Sequence, residues 1–252
     1  MTKGPNMRTV LATLIVLCVS VAAQAETIDL PQISENDTWT YQNTVENKTG
    51  WHQTRDESTV LRAGPTGIAI TTKSVGSTMP PAQQLIGRDW SRIRSVNGRQ
   101  TVVNRPLAFP LSVGKTWQVD YTEDHPNRQH DSEHFHSVYK VVGWEDVTVP
   151  AGKFHALKIE ADGDWSATLA PAISNASGAR VDAQGSTVVM QTNKTVATTV
   201  SGRTYKAFWY VPEVKKWVKS DEEYYGSNNV QTGRFAAELE SYKVSNLFDH
   251  RE

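Results

Sequence analysis

The sequence predicts an all-β protein: an antiparallel curved sheet or barrel, with a β-sandwich as the alternative and few or no helices outside an N-terminal export signal. Three observations predict it. Val, Thr, Tyr and Trp are plentiful, and these residues fit a half-buried pleated surface. Apolar and polar residues alternate with period two in segment after segment. Gly, Pro and Asn separate those segments at turn-like intervals.

The first 25 residues read differently. Lys3 and Arg8 precede an apolar run over 10–21, and Ala23-Gln24-Ala25 is a small-x-small cleavage site, so residues 1–25 are expected to be a secretory signal peptide. The run is shorter than the roughly 20 apolar residues a spanning helix wants, and no other stretch could serve as a transmembrane anchor. Cys18 follows bulky Leu17, which is unsuited to lipoprotein processing. It is the only cysteine, so cleavage would leave a chain without disulfides, thiol nucleophiles or cysteine metal ligands. Removing 25 of 252 residues leaves 227, enough to bury a core without disulfide staples. The remainder holds 24 Lys and Arg against 27 Asp and Glu, a net charge of −3. Without a basic excess, nucleic acid is excluded as a partner.

The expected strands follow in order. Residues 37–47 open the series with Trp39, Tyr41 and Asn43 on one face, and 51–62 and 67–73 come next. Pro80-Pro81 breaks the pattern, and a short helix or loop is expected over 82–86. Runs at 89–96 and 99–104 flank Asn97-Gly98, a type I′ hairpin turn signal because both central residues need positive φ. Strands at 115–122 and 134–149 follow, the second bent at Gly143. Pro150-Ala151-Gly152-Lys153 should turn the chain into a strand over 154–161. Composition then shifts toward Ala, Ser, Thr and Gly. Residues 171–185 read as a loop or insertion, and 186–200 as a strand of Thr and Val. Aromatic strands over 203–211 and 214–225 and a last strand over 233–244 complete the domain. The expected organisation is one β-rich domain over 26–244, or two lobes meeting near 105–115, with a tail at 245–252.

Several strings carry a resemblance. Val147-Thr148-Val149-Pro150-Ala151-Gly152-Lys153-Phe154 is followed by Phe208-Trp209-Tyr210-Val211-Pro212-Glu213-Val214, by Trp217-Val218-Lys219, and by Glu238-Leu239-Glu240-Ser241-Tyr242-Lys243. This order resembles the TapB-like family of exported bacterial envelope proteins, whose domain is an uncharacterised β-rich one. The resemblance covers roughly 37–244 and is clearest after Gly143. It implies a β fold and a periplasmic or secreted location, and it brings no catalytic residues with it. The strings themselves are structural: Pro fixes φ in a turn, and Gly tolerates the left-handed region.

The densest polar cluster lies between 124 and 136, with His125, His130, His134 and His136 among three Asp and Glu residues. Neutral imidazoles suit a divalent transition metal, weakly held, with a carboxylate as third ligand or ring orienter. His134 and His136 share one face if Phe135 lies in a strand. The competing reading is a solvated hairpin loop, because the spacing matches no metal motif. There is no Gly-x-Ser-x-Gly elbow, His-Glu-x-x-His motif or phosphate-cradling glycine loop. Glu222 and Glu223 are strand neighbours and point to opposite faces, so they cannot flank one glycosidic bond.

Of the eight tryptophans, those in the aromatic C-terminal third are the candidates for a ligand platform: Trp209 and Trp217, with Tyr210. The sequence therefore reads as a periplasmic, non-catalytic binding protein. Its partner would be an apolar small molecule, a glycan or an envelope protein. The alternatives are a metal-dependent enzyme built on the histidine cluster and a purely structural envelope component.

Overall fold

A computed structural model describes residues 26–170, 172–181, 187–196 and 198–245, with backbone alone for 172–181 and 187–196. The expected export signal at 1–25 and the expected tail beyond Ser245 lie outside the described residues. The strands are β1 (Thr38–Asn47), β2 (Gly50–Ala63), β3 (Ile68–Ser74), β4 (Ala82–Ile86), β5 (Arg92–Val96), β6 (Arg99–Asn104), β7 (Thr116–Asp124), β8 (His130–Val149), β9 (Gly152–Leu169), β10 (Ala172–Val181), β11 (Thr187–Val196), β12 (Thr199–Val211), β13 (Lys216–Tyr225) and β14 (Gln231–Lys243). Among the described residues the helical content is one 3-10 turn, Pro212–Val214.

Ten strands form a single antiparallel sheet in the order β4-β3-β2-β1-β14-β13-β12-β9-β8-β7. The curved-sheet expectation holds, and the closed barrel does not: β4 and β7 are opposite edges and do not pair. The reason lies in the connection between them. Residues 87–115 must travel from one edge to the other, and they do so across the inner face, where Trp90, Leu107 and Leu111 are buried in the core. This strap covers the face that closure would otherwise have enclosed. It contains the hairpin β5–β6, turned at Asn97 (φ 49°) and Gly98 (φ 76°) as the sequence predicts. Strands from both sides of residues 105–115 join the one sheet.

Two local expectations are corrected. Residues 82–86 are neither helix nor loop but the edge strand β4, paired with β3 from Ile68↔Ile86 to Thr72↔Ala82. Five residues cannot nucleate a stable helix, whereas pairing satisfies their backbone groups at once. Residues 172–181, expected as loop, form β10, which pairs with β11 in a separate two-stranded sheet. The ladder of β9 and β12 leads into it, with the Leu169 amide donating to the Thr198 carbonyl at 2.8 Å. The strand expected over 186–200 is thus β11 and the start of β12.

Alternation explains the core. Trp39, Tyr139, Ile159, Phe208, Tyr210 and Leu239 point inward from five different strands and are fully buried beneath the strap. One corner fastens the layers. The Trp39 indole N–H donates to the Val214 carbonyl at 2.8 Å, and the Trp90 indole N–H donates to the Lys215 carbonyl at 2.9 Å. Lys215 adopts the left-handed region (φ 62°), which ends the 3-10 turn and presents these carbonyls. Its ammonium lies 3.0 Å from the buried Asp37 carboxylate. Asp37 also accepts from the Ser34 amide at 2.9 Å and the Ser245 amide at 2.7 Å.

Lys216 follows immediately and is buried with no carboxylate partner among the described residues. Its ammonium lies 4.6–5.3 Å from the ring centroids of Trp39, Tyr41, Trp90 and Trp217. Loss of hydration lowers its pKa from 10.5 to about 7.

Asp37→Ala should cost about 3–5 kcal/mol, because it strands the Lys215 charge in the interior. Urea denaturation measures this, and a loss below about 1 kcal/mol would show that the corner does not hold the fold. Lys216→Met should raise the melting temperature, with a pH signature. The unfolded chain keeps the lysine proton up to about pH 10.5, whereas the folded chain releases it near 7. The penalty is therefore full below pH 7 and fades as pH rises toward 10. The gain from Lys216→Met should shrink over that window, and a gain constant from pH 6 to 10 would contradict the assignment.

Candidate functional site

Strand register sets which inner side chains become neighbours. One row across the sheet runs Tyr121–Phe135–Trp165–Gly202. The next runs Val119–Ser137–Gly163–Thr204–Tyr224–Gly233. A third runs Tyr139–Ala161–Lys206–Glu222–Phe235–Val45. Ser137, Gly163 and Thr204 fill the middle of the second row, Gly202 and Ala161 lie beside it in the neighbouring rows, and aromatic residues stand around them, so the sheet carries a trough walled by rings.

The small residues are sterically required. A Cβ on Gly163 would lie 2.5 Å from the His136 carbonyl and 2.6 Å from the Thr204 hydroxyl. A Cβ on Gly202 would lie 1.9 Å from the Tyr225 carbonyl and 2.6 Å from the Trp165 indole nitrogen. The Trp165 ring thus lies over Gly202, and its N–H donates to the Tyr225 carbonyl at 3.3 Å. Tyr121 stacks on Phe135 with centroids 5.3 Å apart, and Tyr224 meets the Phe235 ring edge-on at 5.8 Å. Burial raises the Tyr121 and Tyr224 phenols, so both remain neutral.

The trough holds two adjoining cavities. One, of about 380 Å³, lies between the β5–β6 hairpin and the sheet, with Arg92, Arg94 and Val103 above and Tyr121, Thr204 and Lys206 below. The other, of about 400 Å³, is bounded by Val45, Phe135, Trp165, Tyr224 and Phe235. Glu133, Phe135 and Tyr224 line both. Phe235 keeps 48% of its surface exposed. The hairpin roof is tied down by polar contacts: Arg94 forks onto Glu123, and Asn97 donates to the Thr122 carbonyl at 3.1 Å while accepting from the Asp124 amide at 2.9 Å. A larger open depression, about 640 Å³, lies between the N-terminal segment and the strap. There Asp89 and Arg105 neutralise each other at 2.7 Å and Phe109 is the one aromatic ring among the described lining residues, so the trough is the better candidate.

The aromatic candidates from the sequence are dispersed. Trp209 lies between Lys158 and Lys219, its indole donating to Glu145. Tyr210 is fully buried with its ring 5.5 Å from Phe109, and its hydroxyl has no hydrogen-bond partner among the described residues. Trp217 packs edge-on against Trp90 and Phe208. Tyr210 and Trp217 are framework, and none of the three lines the trough.

The histidines are dispersed too. His125 pairs with Asp131 at 3.5 Å, His134 with Asp120 at 3.2 Å, His136 with Asp164 at 3.4 Å, and His130 with Glu133. Each ring has its own carboxylate, and among the described residues no three His, Cys, Asp or Glu converge as a metal-holding group. His130 alone reaches the trough.

Sequence reasoning missed Tyr121, Phe135, Tyr224 and Phe235. One signal was present: the alternation that places His134 and His136 on one face places Phe135 on the other.

No family model matches the chain, and no curated protein matches its sequence. Two solved structures are similar. One, provisionally described as a lipoprotein from Parabacteroides distasonis, is 14% identical with a TM-score of 0.45, covering 86% of this chain and 100% of that one. Another, provisionally described as an exported protein with a YmcC-like fold from Bacteroides fragilis, is 16% identical with a TM-score of 0.37, covering 86% and 99%.

Gly163→Ala should destabilise by about 1–3 kcal/mol through overpacking against the His136 carbonyl. That corresponds to a drop of roughly 2–10 °C in melting temperature for a domain of this size. An unchanged melting curve would mean that the strands are not held this close.

Proposed function

We propose that this protein is a non-catalytic binding protein of the bacterial envelope, and that its ligand is an elongated apolar molecule lying in the inner-face trough. The observation that carries this reading is the ring-walled trough itself, left open beside a core that the strap otherwise covers. Two adjoining cavities of about 380 and 400 Å³ are within the range of small-molecule sites. Aromatic walls with a few polar groups at the base suit an apolar body held in one orientation. The export-type N-terminus and the resemblance to exported envelope proteins support the compartment. Against catalysis stands the pairing of the carboxylates that line the trough: Glu133 with His130, and Glu46 with Arg234 at 3.3 Å.

The test is a fluorescence titration of the full protein with the neutral probe N-phenyl-1-naphthylamine. Saturable enhancement is expected. Phe235→Glu should weaken binding about tenfold, the equivalent of roughly 1.4 kcal/mol, with the melting temperature unchanged because this ring is half exposed. Absence of saturable binding, or equal binding by the variant, would remove the trough as the site.

A further inference from the structure

We infer that the ligand is an anionic amphiphile, a single apolar body with a carboxylate or phosphate head, and that the head lies under the β5–β6 hairpin at Arg92. This rests on the trough being the binding site, and adds the ligand's charge and direction. The two cavities differ in chemistry along the trough. The cavity beneath the hairpin has three cations, Arg92, Arg94 and Lys206, whereas the other is walled mainly by Val45, Trp165 and Phe235. Both are lined by Phe135 and Tyr224, so one molecule can run from one to the other.

One cation is left without a contacting carboxylate. Arg94 is held by Glu123 and Lys206 by Glu222. Glu133, between the cavities, is held by His130, and Glu46 at the far end lies 3.3 Å from Arg234. Arg92 has no carboxylate within ion-pair distance among the described residues. Two hydroxyls line or flank the same cavity, those of Ser137 and Thr204, and neither makes a side-chain hydrogen bond with another described residue. They stand on either side of Gly163, whose missing side chain leaves them accessible. A guanidinium and two free hydroxyls can all donate to an oxyanion, and a charge-assisted bond to arginine is about twice as strong as a neutral one. A neutral hydrocarbon would leave all three donors unanswered. A cationic head would face an uncompensated arginine. The opposite end offers rings, with no unpaired charge.

The test compares cis-parinaric acid with its methyl ester, which has the same chain and no charge, using fluorescence titration of the full protein. N-phenyl-1-naphthylamine serves as the neutral reference. The acid should bind at least tenfold more tightly than the ester. Arg92→Glu, an exposed position, should abolish that preference while leaving the ester, the reference probe and the melting temperature unchanged. Equal affinities for acid and ester in the wild type, with the reference probe bound, would overturn the anionic head and leave the trough intact. An equal loss of acid and ester in Arg92→Glu would overturn the placement of the head. Failure of all three probes to bind would overturn the trough, and this inference with it.

Discussion

A buried corner at residues 212–216 is what the remaining architecture depends on. Two indole N–H groups, from Trp39 in β1 and Trp90 in the strap, donate to adjacent carbonyls of Val214 and Lys215. Asp37 holds the Lys215 ammonium and two backbone amides beside them. All of these bonds except the one from the Ser34 amide join segments far apart in sequence. An open antiparallel sheet has nothing intrinsic to keep a crossing connection on its face. The corner supplies that, because pulling the strap away would leave a buried carbonyl unpaired and uncover the ring cage around Lys216.

The strap in turn divides the inner face. Where residues 105–111 cross, the sheet's side chains are large and apolar, and the interior is packed. Where the β5–β6 hairpin crosses, attachment is polar and peripheral, through Arg94 and Asn97 to β7, and the sheet beneath holds Gly163, Thr204 and Gly202. The difference between core and trough is thus a difference in side-chain volume along the same strands. β9 shows it within one element: Leu157, Ile159 and Ala161 are buried under the strap, and two residues on, Gly163 opens the trough before Trp165 walls it.

Much of the fold was legible in the sequence, because strand content follows from alternation and turns follow from particular residues. Asn97-Gly98 and the Pro150-Ala151 turn were readable for that reason. The strand at 82–86 was not, since Ala-Gln-Gln-Leu-Ile carries little β preference and pairs only because β3 offers an edge. Openness was not legible either, because closure depends on the path of residues 87–115 rather than on any strand. The site was the least legible part. Tyr121, Trp165, Tyr224 and Phe235 lie up to 114 residues apart in the chain, and only register makes them neighbours. The clustered aromatics of 205–217 drew attention instead, and Tyr210 and Trp217 turn out to serve the core and the corner. Trp39 and Trp117, each following a threonine at the start of a strand, do the same job: both indoles donate to backbone carbonyls of chain that crosses or turns, at Val214 and Arg105.

The two faces treat their polar groups differently. On the outer face, polar side chains answer one another locally: His134 with Asp120, His136 with Asp164, Trp209 with Glu145 and Arg55 with Glu240. Such pairs at the surface contribute little stability and leave nothing free to recognise a ligand. On the inner face, cost forces economy. Removing a polar group from water without a partner is unfavourable, so a sheet that merely needed a core would place apolar residues at 137 and 204. Instead Ser137 and Thr204 flank a glycine beneath an unpaired arginine, in a trough whose other walls are rings. On the proposed reading, that combination is where the charged head of an otherwise apolar molecule lies, and the rings along the rest of the trough take its body.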